Sequence, residues 1–124
     1  MKLEKTSGPL RALADRLFAF VEELSGERPQ FIASDGWYHA LTNEKVFVYL
    51  YLVGKTAKKN PRHSVVLATQ WDDRLAVGRV TQGNNMFGYP SAELAVRATN
   101  PDDIAPAEEF LRRALQLSIE RGRR

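Results

Sequence analysis

Residues 79–117 read RVTQGNNMFGYPSAELAVRATNPDDIAPAEEFLRRALQL, and their order decides the fold. A run ending at Thr81 and a run from Ala92 to Thr99, with Leu94 and Val96 on one face, carry the period-two pattern of strands. Between them Gly83 to Pro90 forms a connection rich in glycine and asparagine, residues that accept left-handed backbone. Asn100-Pro101-Asp102-Asp103 then opens a helix near Asp103. Pro106 falls within its first turn, where a missing N–H leaves no bond unmade. Ile104, Ala107, Phe110, Leu111, Ala114, Leu115 and Ser118 mark its inward stripe. Asp102-Asp103 and Glu108-Glu109 read as cap and first-turn charge.

Upstream, Pro9 followed by Leu10, Leu13, Leu17, Phe18, Val21 and Leu24 predicts an amphipathic helix over about 9–25, ended by Ser25-Gly26. Strand-like runs follow. Gln30 to Ser34 and Trp37 to Leu41 flank Asp35-Gly36, a dipeptide that suits a tight hairpin with positive φ at both central positions. Thr42-Asn43-Glu44 turns the chain into Lys45 to Val53, apolar at nearly every position, as in a central strand covered on both faces. Ser64 to Gln70 and Arg74 to Thr81 read as a further hairpin around Trp71-Asp72-Asp73.

The pattern predicts an α+β fold: an N-terminal helix, a largely meandering antiparallel sheet of five to six strands, and a C-terminal helix, with the helices packed on the sheet. Residues 1–124 form one domain, with an ordered core of about 9–119 and an arginine-rich tail at 120–124. The absence of cysteine excludes disulfides, thiolate ligands and cysteine nucleophiles. Neither a signal-peptide run nor a bilayer-length apolar segment is present, so a soluble, cytoplasmic protein without a membrane partner is expected. The net charge of +3 resides in Arg121, Arg123 and Arg124; without them 15 basic residues face 15 acidic ones.

Phe31-Ile32-Ala33, Trp37-Tyr38, Val46 to Leu52, Gly83-Asn84, Glu93-Leu94-Ala95-Val96, and Asp102-Asp103-Ile104 through Ala114 stand in an order that resembles a family of small domains. It is a domain of unknown function labelled "predicted transport protein", found alone or beside nuclease-like domains. The resemblance covers about residues 14–118 and implies the same helix, sheet and helix succession. The chain departs from the family pattern in the basic Gly54 to His63 loop and in Met86 to Pro90.

His39 and His63, 24 positions apart with no second ligand at helical spacing, do not make a metal site, and no metal is expected. No Gly-x-Ser-x-Gly elbow frames a nucleophile, and adjacent carboxylates point to different faces, so no catalytic residue is assigned. Gly83 to Gly88 imitates half of a phosphate loop, but Tyr89-Pro90 replaces Lys-Ser and a strand follows, so no cofactor is implied.

Two loops carry the candidate ligand-binding residues. The first holds Lys55, Lys58, Lys59 and Arg62, four cations within eight residues and no acid; the bland alternative is a solvated loop. The second holds Asn84, Asn85, Phe87 and Tyr89, to which Arg79 is added; with Met86, its apolar residues fit either packing on the core or a partner chain, or contact with a ligand. Tyr49 and Tyr51 share one strand face and Val48 and Leu50 the other; exposed, the tyrosines would stack bases, and under a helix they would be core.

The leading expectation is a small binding or interaction module, not an enzyme, that serves nucleic-acid processing if the two loops meet at one end of the sheet. One alternative is a homo-oligomer, such as a homodimer, with a protein partner and no nucleic acid. The other is a small-ligand protein or enzyme with a sheet–helix pocket drawing on His39, Arg79, Gln82, Asn84 and Asn85.

Overall fold

The computed structural model describes residues 1–55, 60–83 and 89–122. Its elements are α1 (Gly8–Ser25), β1 (Gln30–Ile32), β2 (Trp37–Thr42), β3 (Lys45–Val53), β4 (Ser64–Gln70), β5 (Thr81–Gly83), β6 (Ser91–Arg97) and α2 (Ile104–Gly122). Short 3₁₀ turns at Leu3–Lys5, Asp73–Leu75 and Pro101–Asp103 precede α1, β5 and α2. All strand pairs are antiparallel, in the order β1-β2-β3-β4-β6-β5, so the α+β architecture stands as the periodicity predicts. Among the described residues no helix is long and apolar enough to cross a membrane.

Both helices cover one face of the sheet. Leu13, Leu17, Phe18 and Val21 of α1 and Phe110, Leu111 and Ala114 of α2 share one apolar cluster with Val48, Leu50, Leu52, Val65, Leu67, Leu94 and Val96. Registers Leu50↔Leu67 and Leu67↔Leu94 put these strand residues on the same side, because side chains alternate with period two. Tyr38 belongs to this side, meeting the Phe18 ring edge-on at 4.8 Å and accepting the Leu3 N–H at 2.7 Å. Tyr49 and Tyr51 therefore lie on the opposite face, away from the helices. The near-continuous apolar run of β3 reflects aromatic residues on that second face and not a second helical layer.

Three expectations change. Residues 74–81 do not form a strand paired with β4. The Asp72 carboxylate accepts the Arg74 N–H at 2.9 Å, closing a 3₁₀ turn that sends Leu75 into the core. The edge of β4 is taken by β6 instead (Gln70↔Ser91), and the Trp71 N–H reaches the Pro90 carbonyl at 2.9 Å. Only Thr81–Gly83 is extended, and it pairs with β6 at the sheet's outer edge.

The tight two-residue turn also moves. Ile32↔Trp37 leaves four residues between β1 and β2, with positive φ at Gly36 alone. Thr42↔Lys45 encloses Asn43 and Glu44, at φ 51° and 65°, the conformation of a type I′ hairpin. Finally, α2 continues through Gly122, past residue 119, so Arg121 stands in its last turn and not in a tail.

Candidate functional site

The two candidate loops leave the sheet at opposite ends. Val53↔Ser64 and Ser64↔Arg97 define the end from which the basic loop departs. Gln70↔Ser91 and Gly83↔Ser91 define the end carrying the aromatic loop. Six residue steps separate Ser91 from Arg97, about 20 Å at roughly 3.3 Å per residue. Lys55 and Arg62 are exposed at the first end, and Tyr89 is half-buried at the second. Lys58, Lys59, Asn84, Asn85 and Phe87 lie outside the described residues, as does Met86.

Arg79 is committed elsewhere. Its Nη2 donates to Asp103 Oδ1, while Arg97 donates from Nε and from its backbone N–H to Oδ2 at 3.0 and 2.9 Å. The Asp103 side chain is 4% exposed, against 50% for Arg79 and 40% for Arg97. The Arg97 guanidinium, helped by Arg79 and the Arg97 N–H, holds the Asp103 carboxyl well below the usual carboxylate range. Asp103 is thus an interior ion-pair residue, a correction to its reading as cap charge. Asn100 does the capping, accepting the Asp102 N–H at 3.0 Å.

Of the residues expected to form a sheet–helix pocket, the three that are described do not converge, and Asn84 and Asn85 lie outside the described residues. His39 is on the helix-free face, Arg79 is at the β5 edge, Gln82 is exposed, and Leu50, Leu67 and Leu94 fill the space under the helices. Among the described residues no three of His, Asp and Glu gather as metal ligands.

What the sheet assembles is a row across its helix-free face: Gln30↔His39↔Tyr49↔Ala68↔Glu93↔Thr81. Beside it the Trp37 and Tyr51 rings overlap with centroids 5.0 Å apart and planes at 31°. The aromatic half, on β2 and β3, is partly accessible; Val66, Ala68, Ser91 and Glu93, on β4 and β6, are buried. Burial, with smaller effects of Tyr89 and Asp35, pushes the Tyr49 hydroxyl above its ordinary pKa, favouring its neutral form.

At its buried half, Glu93 accepts the Ser91 hydroxyl at 3.0 Å. Gly83 is glycine for space: a Cβ there would overlap the Glu93 carboxylate and approach Ser91 Oγ to 2.5 Å, whereas its φ is not left-handed.

Beside Tyr49, at the Gln70 end of the sheet, a cleft of about 240 Å³ opens against the last turn of α2. Lys45 and Arg121 supply its charge, and Tyr49, Tyr89, Gln70, Thr69 and Ser118 its other polar groups; no Asp or Glu is among its described lining. Thr69 is held in place by donating to the Phe47 carbonyl at 2.7 Å. Sequence reading missed this cleft because Lys45 sits at a turn and Arg121 within an apparent tail. The shared face of Trp37, His39, Tyr49 and Tyr51 was the available signal. Comparison with protein-family models, curated proteins and solved structures finds no match to the chain.

Proposed function

We propose that the chain is a small binding module that takes single-stranded nucleic acid across the helix-free face of its sheet. Bases stack on Trp37, Tyr51 and Tyr49, and phosphates run between the cationic ends marked by Lys45 with Arg121 and by Lys55 with Arg62. The observation that carries this reading is the partly accessible Trp37–Tyr51 pair, beside Tyr49, on a sheet face without a helix. Single strands are recognised on such surfaces because every base has a π-face, and one base–aromatic stack is worth about 1–3 kcal/mol. The ends lie too far apart for one loop-to-loop site, yet their separation suits a strand laid along the sheet. Resemblance to a family whose members are found alone or beside nuclease-like domains agrees with an accessory role in nucleic-acid processing.

Filter binding at two salt concentrations tests the proposal. Single strands are retained in preference to duplex, and retention falls steeply with salt as counterions are released. Equal retention of single strand and duplex, or retention indifferent to salt, contradicts it.

A further inference from the structure

We infer that the cleft at the Gln70 end is a site for a terminal phosphate monoester, and that the protein discriminates phosphorylated from unphosphorylated strand ends. The inference deepens the single-strand reading and rests on it for the course of the strand, but the cleft has its own evidence. Its two cations come from elements distant in sequence, Lys45 at the start of β3 and Arg121 in the last turn of α2. Tyr49 and Tyr89 hydroxyls, the Gln70 amide and the Ser118 hydroxyl add to its polar lining, while the Thr69 hydroxyl gives its proton to the Phe47 carbonyl. With no carboxylate in the described lining, this set suits an anion.

Charge selects the kind of phosphate. A monoester carries roughly −1.5 to −2 at pH 7, whereas an internal diester carries one charge, so two cations match the former. Competition for Arg121 is limited: Asp72, which senses its charge, is held by Arg74 through Nε at 3.0 Å and Nη2 at 3.0 Å. Position agrees, because a strand laid along β3 over Tyr51 and Tyr49 comes next to the Gln70 end of the sheet, where Lys45 and the cleft lie. Tyr49 belongs to both, one of the row's aromatics and one of the cleft's donors.

The test compares oligothymidylate bearing a 5′-phosphate, a 3′-phosphate or neither, with wild type, K45A and R121A, each checked for an unchanged melting temperature. Wild type is expected to bind one phosphorylated end about tenfold more tightly than the unphosphorylated oligomer. The preferred end identifies the strand's polarity. The preference disappears in both variants and fades from pH 7.5 to 5.5, as the monoester loses its second charge near pH 6. Equal affinity for all three oligomers overturns the terminal-phosphate site and leaves the sheet-face reading standing. If no oligomer binds, inorganic phosphate decides: a melting shift that requires Lys45 and Arg121 supports the cleft alone, and its absence overturns both.

Discussion

The carboxylate of Glu93 occupies the space that any side chain at Gly83 would need. β5 and β6 pair Gly83 with Ser91, and Ser91 in turn donates to Glu93, so three residues of one face interlock at the sheet's edge. The contact ties the short edge strand to the row that crosses the helix-free face.

Gly83→Ala forces the Glu93 carboxylate off Ser91 and costs about 1–3 kcal/mol, the range for overpacking a filled site. Urea denaturation measures it. Adding Glu93→Ala to Gly83→Ala recovers part of the loss, because the obstructing carboxylate is gone; strictly additive losses would show that the two residues do not compete for space.

Asp103 makes stability depend on acid. Its folded pKa is depressed, so its contribution is fully present above the ordinary carboxylate value near 4 and is lost as pH falls below that toward the folded value. Asp103→Asn is expected to remove about 2 kcal/mol at pH 7, since hydrogen bonds to a charged group are worth roughly 1.5–3. It also flattens the acid limb of the stability curve between about pH 4 and 2. Asp72, lowered to about 2 by Arg74, pairs with an arginine whose side chain is 59% exposed to solvent screening, and adds little. An acid limb unchanged in the Asp103→Asn variant would rule out this role.

Glu44→Gly stabilises the fold by about 0.5–1 kcal/mol. Glu44 holds φ 65° beside Asn43 at 51°, and Asn-Gly is the preferred pair for that turn. A rise in melting temperature checks it; a fall would mean that the Glu44 side chain contributes more than the backbone conformation costs.

Trp37→Ala and Tyr51→Ala each weaken single-strand binding by about 1–3 kcal/mol, roughly 5- to 150-fold, whatever the base sequence. Tyr49→Phe leaves stacking intact but removes one donor from the cleft. It therefore affects phosphorylated oligomers more than unphosphorylated ones, which paired titrations of the two oligomers read directly.

The architecture was legible where one physical signal dominated. The stripe of α1 and the alternation of Val48 and Leu50 report the helix-covered core because burial there follows a strict period. Pro106 places the start of α2 by geometry alone. Arg74 to Thr81 misled because its apolar residues include Leu75, which enters the core from a turn and not from a strand. The Asp35-Gly36 signal failed because the pairing Ile32↔Trp37 leaves four residues, not two, to connect β1 and β2. Asp103 looked like a cap because its arginine partners, 6 and 24 positions away, are invisible to local pattern. The cleft escaped for the same reason: Lys45 and Arg121 meet only once the sheet and α2 are assembled.

The fluorescence of Trp37, isolated in a Trp71→Phe background, reports contact at the aromatic row itself. Titration with oligothymidylate at low salt is expected to quench and shift its emission. The apparent affinity should fall linearly with salt on logarithmic axes, and Tyr51→Ala should weaken it. Emission unchanged at saturating oligomer, or a change indifferent to Tyr51, would show that the helix-free face does not bind single strands.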